Sequence, residues 1–199
     1  MKKYSVQNYT INEDLTVDVK GGVNISGYKL VEIPFSFGVV DGYFDCGYNN
    51  LKNLIGCPVK VGGSFLCVSN DLTSLEGCPV DVGSSILCSN NKLTSLVGCP
   101  VVIIGEFNCS NNLLGLLESC PKSIGGNFNC YNNRIDSFVC GLESVGGYID
   151  CRGNSLSEDD IFIYDYKDYN HIRQYYKNKS LSDELSSGLV EINVRVKKG

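Results

Sequence analysis

Eleven cysteines carry most of the chemical repertoire of this 199-residue chain, and their spacing decides what they are for. They stand at 46, 57, 67, 78, 88, 99, 109, 120, 130, 140 and 151, in steps of 10 or 11 residues. A structural zinc site draws on close C-x-x-C pairs or on His partners. The chain has no C-x-x-C and a single histidine, His171, so neither a metal nor a cofactor is expected. An odd number of thiols cannot pair completely, and no apolar secretory stretch follows Met1-Lys-Lys-Tyr-Ser; reduced, structural cysteines are the expectation. Cys151 and His171 have the composition of a nucleophile and its base, and Asp159 and Asp160 that of a carboxylate pair. Cys151, however, falls on an inward repeat position, and Ser157-Glu-Asp-Asp160 reads as a helix N-cap followed by first-turn acids. With no P-loop, dinucleotide glycine pattern, nucleophile elbow or H-E-x-x-H, no catalytic residue is assigned and the chain is not expected to be an enzyme.

The cysteine rhythm belongs to a longer one. Ser85-Ile-Leu-Cys-Ser-Asn-Asn-Lys-Leu-Thr-Ser-Leu-Val-Gly-Cys-Pro100 repeats 21 residues upstream as Ser64-Phe-Leu-Cys-Val-Ser-Asn-Asp-Leu-Thr-Ser-Leu-Glu-Gly-Cys-Pro79, and copies of decreasing fidelity follow on both sides. A fixed period of this length signals a solenoid, in which each unit buries its apolar face against its neighbours. Within a unit Phe65 and Cys67 are two apart and share a strand face, while Leu72 and Leu75 follow a corner. The Gly steps Val61-Gly-Gly63, Val82-Gly-Ser-Ser85, Ile124-Gly-Gly126 and Val145-Gly-Gly147 and the Pro after the turn Cys predict short turns, not helices, on the convex side, with an irregular turn at Val139-Cys-Gly-Leu142, where Gly and Cys exchange places and Pro is lost.

The corner carries an Asn in six units: Asn49, Asn70, Asn91, Asn112, Asn133 and Asn154. Stacked in register, these amides are expected to form a structural ladder that satisfies backbone groups at the turn. The residues spell L-x-L-x-x-N-x-L, with Cys in the second Leu place, and this resembles the leucine-rich repeat in its shortest, roughly 21-residue form. The resemblance covers Val19 to Leu156. The Gly-Cys-Pro-x-x-Val-Gly-Gly-x-Phe-x-Cys-Ser-Asn-Asn wording further resembles small repeat proteins of bacteria and tailed phages. It implies protein binding rather than catalysis, and a phage product in the host cell cytoplasm. Bacterial effectors with such repeats often carry a ubiquitin-ligase domain with a catalytic Cys; residues 157–199 contain no Cys.

The predicted organisation is an N-terminal β cap over 1–22, a repeat array of about seven rungs over 23–156 with a degenerate first unit, and a C-terminal helical cap with a terminal strand over 157–199. In that first unit Val23, Ile25, Leu30 and Ile33 keep the inward places, but Tyr28 replaces the corner Asn. A net charge of −5 without a basic stripe argues against nucleic acid, and no apolar run approaches the ~18 residues of a membrane span.

If Cys67 faces the core, its neighbours face out. The outward grid comprises Asp45, Gly47 and Tyr48, then Leu66, Val68, Leu87 and Ser89, then Asn108, Ser110, Asn129, Tyr131, Asp150 and Arg152. Leu66, Val68 and Leu87 make an apolar centre with tyrosines towards its flanks, which is the composition of an interface core inside a polar rim. The expected function is a non-enzymatic binding module, phage-encoded, that inhibits or redirects a bacterial host protein such as a defence factor. A structural virion or scaffold role and an acidic decoy of a nucleic-acid-binding protein are the alternatives.

Overall fold

Strands of two residues hold together here because each is flanked by a copy of itself in register. In the computed structural model, which describes residue 4 and residues 6–137 and 141–156, every unit makes one coil of a parallel β-solenoid. The strands Val23–Asn24, Phe44–Asp45, Phe65–Leu66, Ile86–Leu87, Phe107–Asn108, Phe128–Asn129 and Ile149–Asp150 form one seven-stranded parallel sheet, the front sheet. Partners lie one repeat apart: Phe44 with Phe65, Phe65 with Ile86, Phe107 with Phe128. No α-helix occurs among the described residues.

A second set of strands, unread in the sequence, runs up the back of the coils. Phe37–Val40, Lys60–Val61 and Asp81–Val82 pair in parallel behind an antiparallel hairpin, Tyr9–Ile11 with Val17–Val19. Val102–Ile103, Ser123–Ile124 and Ser144–Val145 form a separate three-stranded parallel sheet. From Lys60–Val61 onward each of these strands is two residues long with one inward apolar residue, too short a pattern for alternation to reveal it.

The core is a set of columns along the axis. Phe44, Phe65, Ile86, Phe107 and Phe128 are fully buried, as are Cys46, Cys67, Cys88, Cys109 and Cys130, and Leu51, Leu72, Leu93 and Leu114. Phe44 stacks on Phe65 at 6.0 Å and Phe107 on Phe128 at 5.6 Å, arrangements that add to plain area burial. At the N-terminal end Tyr4, Phe35, Phe37 and Phe44 meet edge to face in a chain that closes the first coil. Val17 and Val19 of the hairpin are buried, while Ile11 and Leu15 are exposed.

Seven residues one repeat apart adopt the left-handed backbone: Gly27, Tyr48, Ser69, Asn90, Asn111, Asn132 and Gly153, with φ between 53° and 73°. In the six units from Tyr48 on, that kink turns the next residue, the corner Asn, inward; after Gly27 the corner is Tyr28, which is exposed. Asn70 shows the resulting pattern. Its Oδ1 accepts from the Leu51 N–H at 2.9 Å, and its Nδ2 donates to the carbonyls of Cys46, Cys67 and Val68 at 3.1, 3.2 and 3.3 Å. Asn49, Asn91, Asn112 and Asn133 repeat the set, and Asn154 keeps both inter-coil bonds. Each amide thus gives an acceptor to a backbone N–H of the previous coil and donates to inward carbonyls of two coils.

The interruption of the back sheet coincides with a change at one position of the unit. The first Gly of each pair lets successive coils touch: a Cβ on Gly62 would sit 2.2 Å from the Asp41 carbonyl oxygen, and one on Gly83 2.1 Å from that of Gly62. The fourth unit has Ile104 in this place. Asp41 holds the same place beside the hairpin and still donates to the Val19 carbonyl at 3.0 Å, whereas at Ile104 the pairing that joins Val61 to Val82 and Ile103 to Ile124 is absent between Val82 and Ile103.

Residues 157–199, where helices and a terminal strand are predicted, and 138–140, within the predicted irregular turn, lie outside the described residues.

Candidate functional site

The outward side chains of the front sheet are organised by a local bond. Asn24, Asp45, Asn108, Asn129 and Asp150, each second in its strand, accept through Oδ1 from the N–H two residues on, at 3.0, 2.9, 3.1, 3.0 and 3.2 Å. The polar residue at this position has a structural task, steering the chain into the left-handed kink. On two adjacent coils the task is abandoned. Leu66 and Leu87 stand there, paired directly across the sheet, and neither has an acceptor to offer.

Leu66, Leu87 and their neighbour Val68 are half-buried. Gly47 makes room for this group: a Cβ there would meet Val68 Cγ2 at 2.9 Å, so the Val68 side chain lies across the Gly47 backbone. Tyr48, on the kink, projects at one flank with 67% of its surface exposed. Towards the other flank the grid turns polar. Asn108 receives the Ser110 hydroxyl at 2.7 Å, and Ser110 is buried rather than outward-facing. Ser89 and Asn129 are half-buried. At the far end Arg152 holds Asp150 through two side-chain bonds of 2.9 and 2.7 Å and lies 5.9 Å from the centre of the Tyr131 ring. The guanidinium keeps the Asp150 carboxyl below its ordinary range, with the backbone N–H of Arg152 acting in the same direction.

The cysteines do not gather into a ligand set. Among the described residues no three His, Cys, Asp or Glu side chains converge on one point. Burial pushes the Cys67, Cys88 and Cys130 thiols well above the usual range, and Cys109 to about 12, so these groups stay protonated and unreactive in the folded chain. Cys99 alone among the described cysteines is not fully buried.

The most exposed aliphatic cluster is on the other face. Val59, Val80 and Val101, each directly after Pro, are 60%, 80% and 61% exposed, and Val102 and Ile104 lie beside them. Val102 stands where Lys60, Asp81 and Ser123 stand in neighbouring units, and Ile104 where Gly62, Gly83, Gly125 and Gly146 stand.

The fold and the front grid define a class, a parallel β-solenoid of 21-residue coils with an aliphatic island on an otherwise Asx-lined sheet. Compared with protein families, with characterised proteins and with solved structures, the chain finds no match.

Proposed function

We propose that the chain is a non-enzymatic protein-binding module of the leucine-rich-repeat kind, and that Leu66, Val68 and Leu87 form the centre of its binding face. The observation that carries this reading is the loss of the Asx bond on two adjacent coils and nowhere else in the seven-stranded sheet. A repeat that gives up a structural bond for an aliphatic side chain at the surface loses local stability, and such local exceptions mark functional positions. The solenoid supplies a stiff platform, so little entropy is lost when a partner docks. Tyr48 at one flank of the island, and Tyr131 and Arg152 towards the far end of the sheet, are residue types enriched at interfaces. The resemblance of the unit to short repeats of bacteria and tailed phages directs the proposal to a phage product acting on a bacterial host protein, such as a defence factor, in the cytoplasm.

The test is affinity capture of the tagged protein from phage-infected cells, with the parent and the Leu66→Asp/Leu87→Asp variant side by side. One host protein retrieved by the parent and lost by the folded variant supports the reading. Recovery of virion proteins favours a structural role, many basic proteins favour a decoy, and an unchanged partner in the variant moves the site off the front sheet.

A further inference from the structure

The interruption of the back sheet opens a cleft of about 470 Å³ between the third and fourth complete coils. Its walls are mostly aliphatic: Val80, Val82, Val101, Val102 and Ile104, with Pro100 and the half-buried Cys99 on one side. One charged residue, Asp81, reaches it, and that carboxylate is engaged by Lys60 at 2.6 Å.

The cleft also contains the backbone groups that the missing ladder leaves behind. In neighbouring coils the residue after Pro donates to its counterpart one repeat back, as Val80 does to Val59 at 3.1 Å and Lys122 to Val101 at 2.8 Å. The residue at the first Gly place does likewise, as Gly83 does to Val61 at 2.9 Å and Gly125 to Ile103 at 2.8 Å. The equivalent bonds from Val101 to Val80 and from Ile104 to Val82 are not made. One residue further on the coils touch again, with the Gly105 N–H on the Ser84 carbonyl at 3.0 Å. The opening is therefore local and bounded, and it falls at Ile104 on a scaffold that is otherwise regular.

We infer that this cleft is a second binding site, independent of the front face, for a neutral peptide segment bearing branched aliphatic side chains. The chemistry selects the class. Two N–H donors and two carbonyl acceptors set among aliphatic walls are satisfied together by an amide, which carries both functions, and the walls take its apolar side chains. A hydrocarbon chain would leave all four polar groups bare. An anion would meet the two donors but also the facing carbonyls and Asp81. At Ile104 the array lacks two ladder bonds and leaves Val102 and Ile104 exposed beside Val80 and Val101, a loss that an occupant reverses.

The experiment uses N-acetyl-valyl-valine N-methylamide as the probe and follows backbone amides of the full chain by 15N–1H NMR. Saturable shifts are expected at residues 80–82 and 101–104 and not at the equivalent positions 59–62 and 122–125. Ile104→Gly restores the repeat; it is expected to fold, melt at a higher temperature and lose the shifts. Val102→Asp leaves the cleft open but places a charge in its wall, and is expected to weaken the probe at least tenfold. Octanol and acetate are run alongside. The proposal is overturned if the probe produces no saturable shift, if it shifts all coils alike, if binding survives in Ile104→Gly, if that variant is less stable than the parent, or if octanol or acetate moves the same amides as strongly.

Discussion

The side-chain amide of Asn91 reaches back 24 residues to the carbonyl of Cys67, at 3.0 Å, joining the corner of one coil to the strand of the coil before it. The same side chain accepts from the Leu72 N–H at 3.1 Å and donates to Cys88 in its own coil at 3.0 Å. Asn91→Ala strips partners from buried groups in two coils, and a loss of about 1–3 kcal/mol is expected in urea unfolding. Asn154→Ala, at the half-exposed last corner, is expected to cost less, since water reaches the groups it uncovers. Equal losses at the two positions would show that burial of the ladder is not what gives it strength.

On the front face, Leu66→Asn and Leu87→Asn return to the repeat an acceptor it has elsewhere. Each is expected to form the bond to the N–H two residues on and to gain about 0.5–1.5 kcal/mol of stability while weakening partner capture. Opposite signs for stability and binding in one variant distinguish a binding role from a merely irregular strand. A variant that is both less stable and fully active would remove the Leu pair from the interface.

Close contact at the Gly pair predicts a sharp positional contrast. Gly83→Ala places a Cβ 2.1 Å from the Gly62 carbonyl oxygen, whereas at Gly115 a Cβ meets nothing within 4 Å. The first substitution is expected to destabilise by about 1–3 kcal/mol and to interrupt the back sheet one coil earlier; the second is expected to be nearly silent. Thermal melts of the two variants check this.

Burial of the thiols makes the array sensitive to alkali. A buried thiol ionises at higher pH than the same thiol in the unfolded chain, so between the two values the unfolded chain holds fewer protons and stability falls as pH rises. Stability is fully present below the ordinary thiol value of 9.0 and, for Cys109, is lost progressively as pH climbs towards about 12. Within that window each such thiol contributes a slope of about 1.4 kcal/mol per pH unit. Cys109→Ala is expected to reduce the slope by one thiol's worth in denaturant titrations run from pH 8 to 10.5. An unchanged slope would mean that Cys109 ionises freely in the folded protein.

Access, not acidity, sets the order in which the thiols react. Brief maleimide treatment of the native protein is expected to modify Cys99 before any other described cysteine, and unfolding without reductant is expected to release the rest. Early labelling of Cys67 or Cys88 would place the front strands in the opposite register.

That register was legible because it rests on bulky types at fixed spacing: Phe65, Cys67, Asn70, Leu72 and Leu75 leave only one way to turn the strand. The left-handed kink before each corner was not legible, since Gly, Tyr, Ser and Asn all occupy it and no one type marks it. Nor was the structural task of Asp45 and its equivalents, because an outward Asx reads the same whether or not its Oδ1 accepts from the N–H two residues on. With that task known, Leu66 and Leu87 change from two apolar residues on a sheet into two exceptions to a rule. Ile104 is the same lesson in reverse: it was visible as a break in the Val-Gly-Gly wording, but only the position of the preceding carbonyl explains what an extra side chain does there. Ser110 was placed outside by alternation and is buried because its hydroxyl turns back onto Asn108.

The corner bonds span 19 and 24 residues and never more, so no coil has direct knowledge of any beyond its neighbours. A protein built this way can change its length by copying or deleting one unit of 21 codons without redesigning anything else, provided the hairpin stays at the front of the stack. Its present exceptions, the Leu pair and Ile104, sit in the middle units, which are also the units that most resemble one another. That is where a duplicated copy is free to drift while the original keeps its sequence.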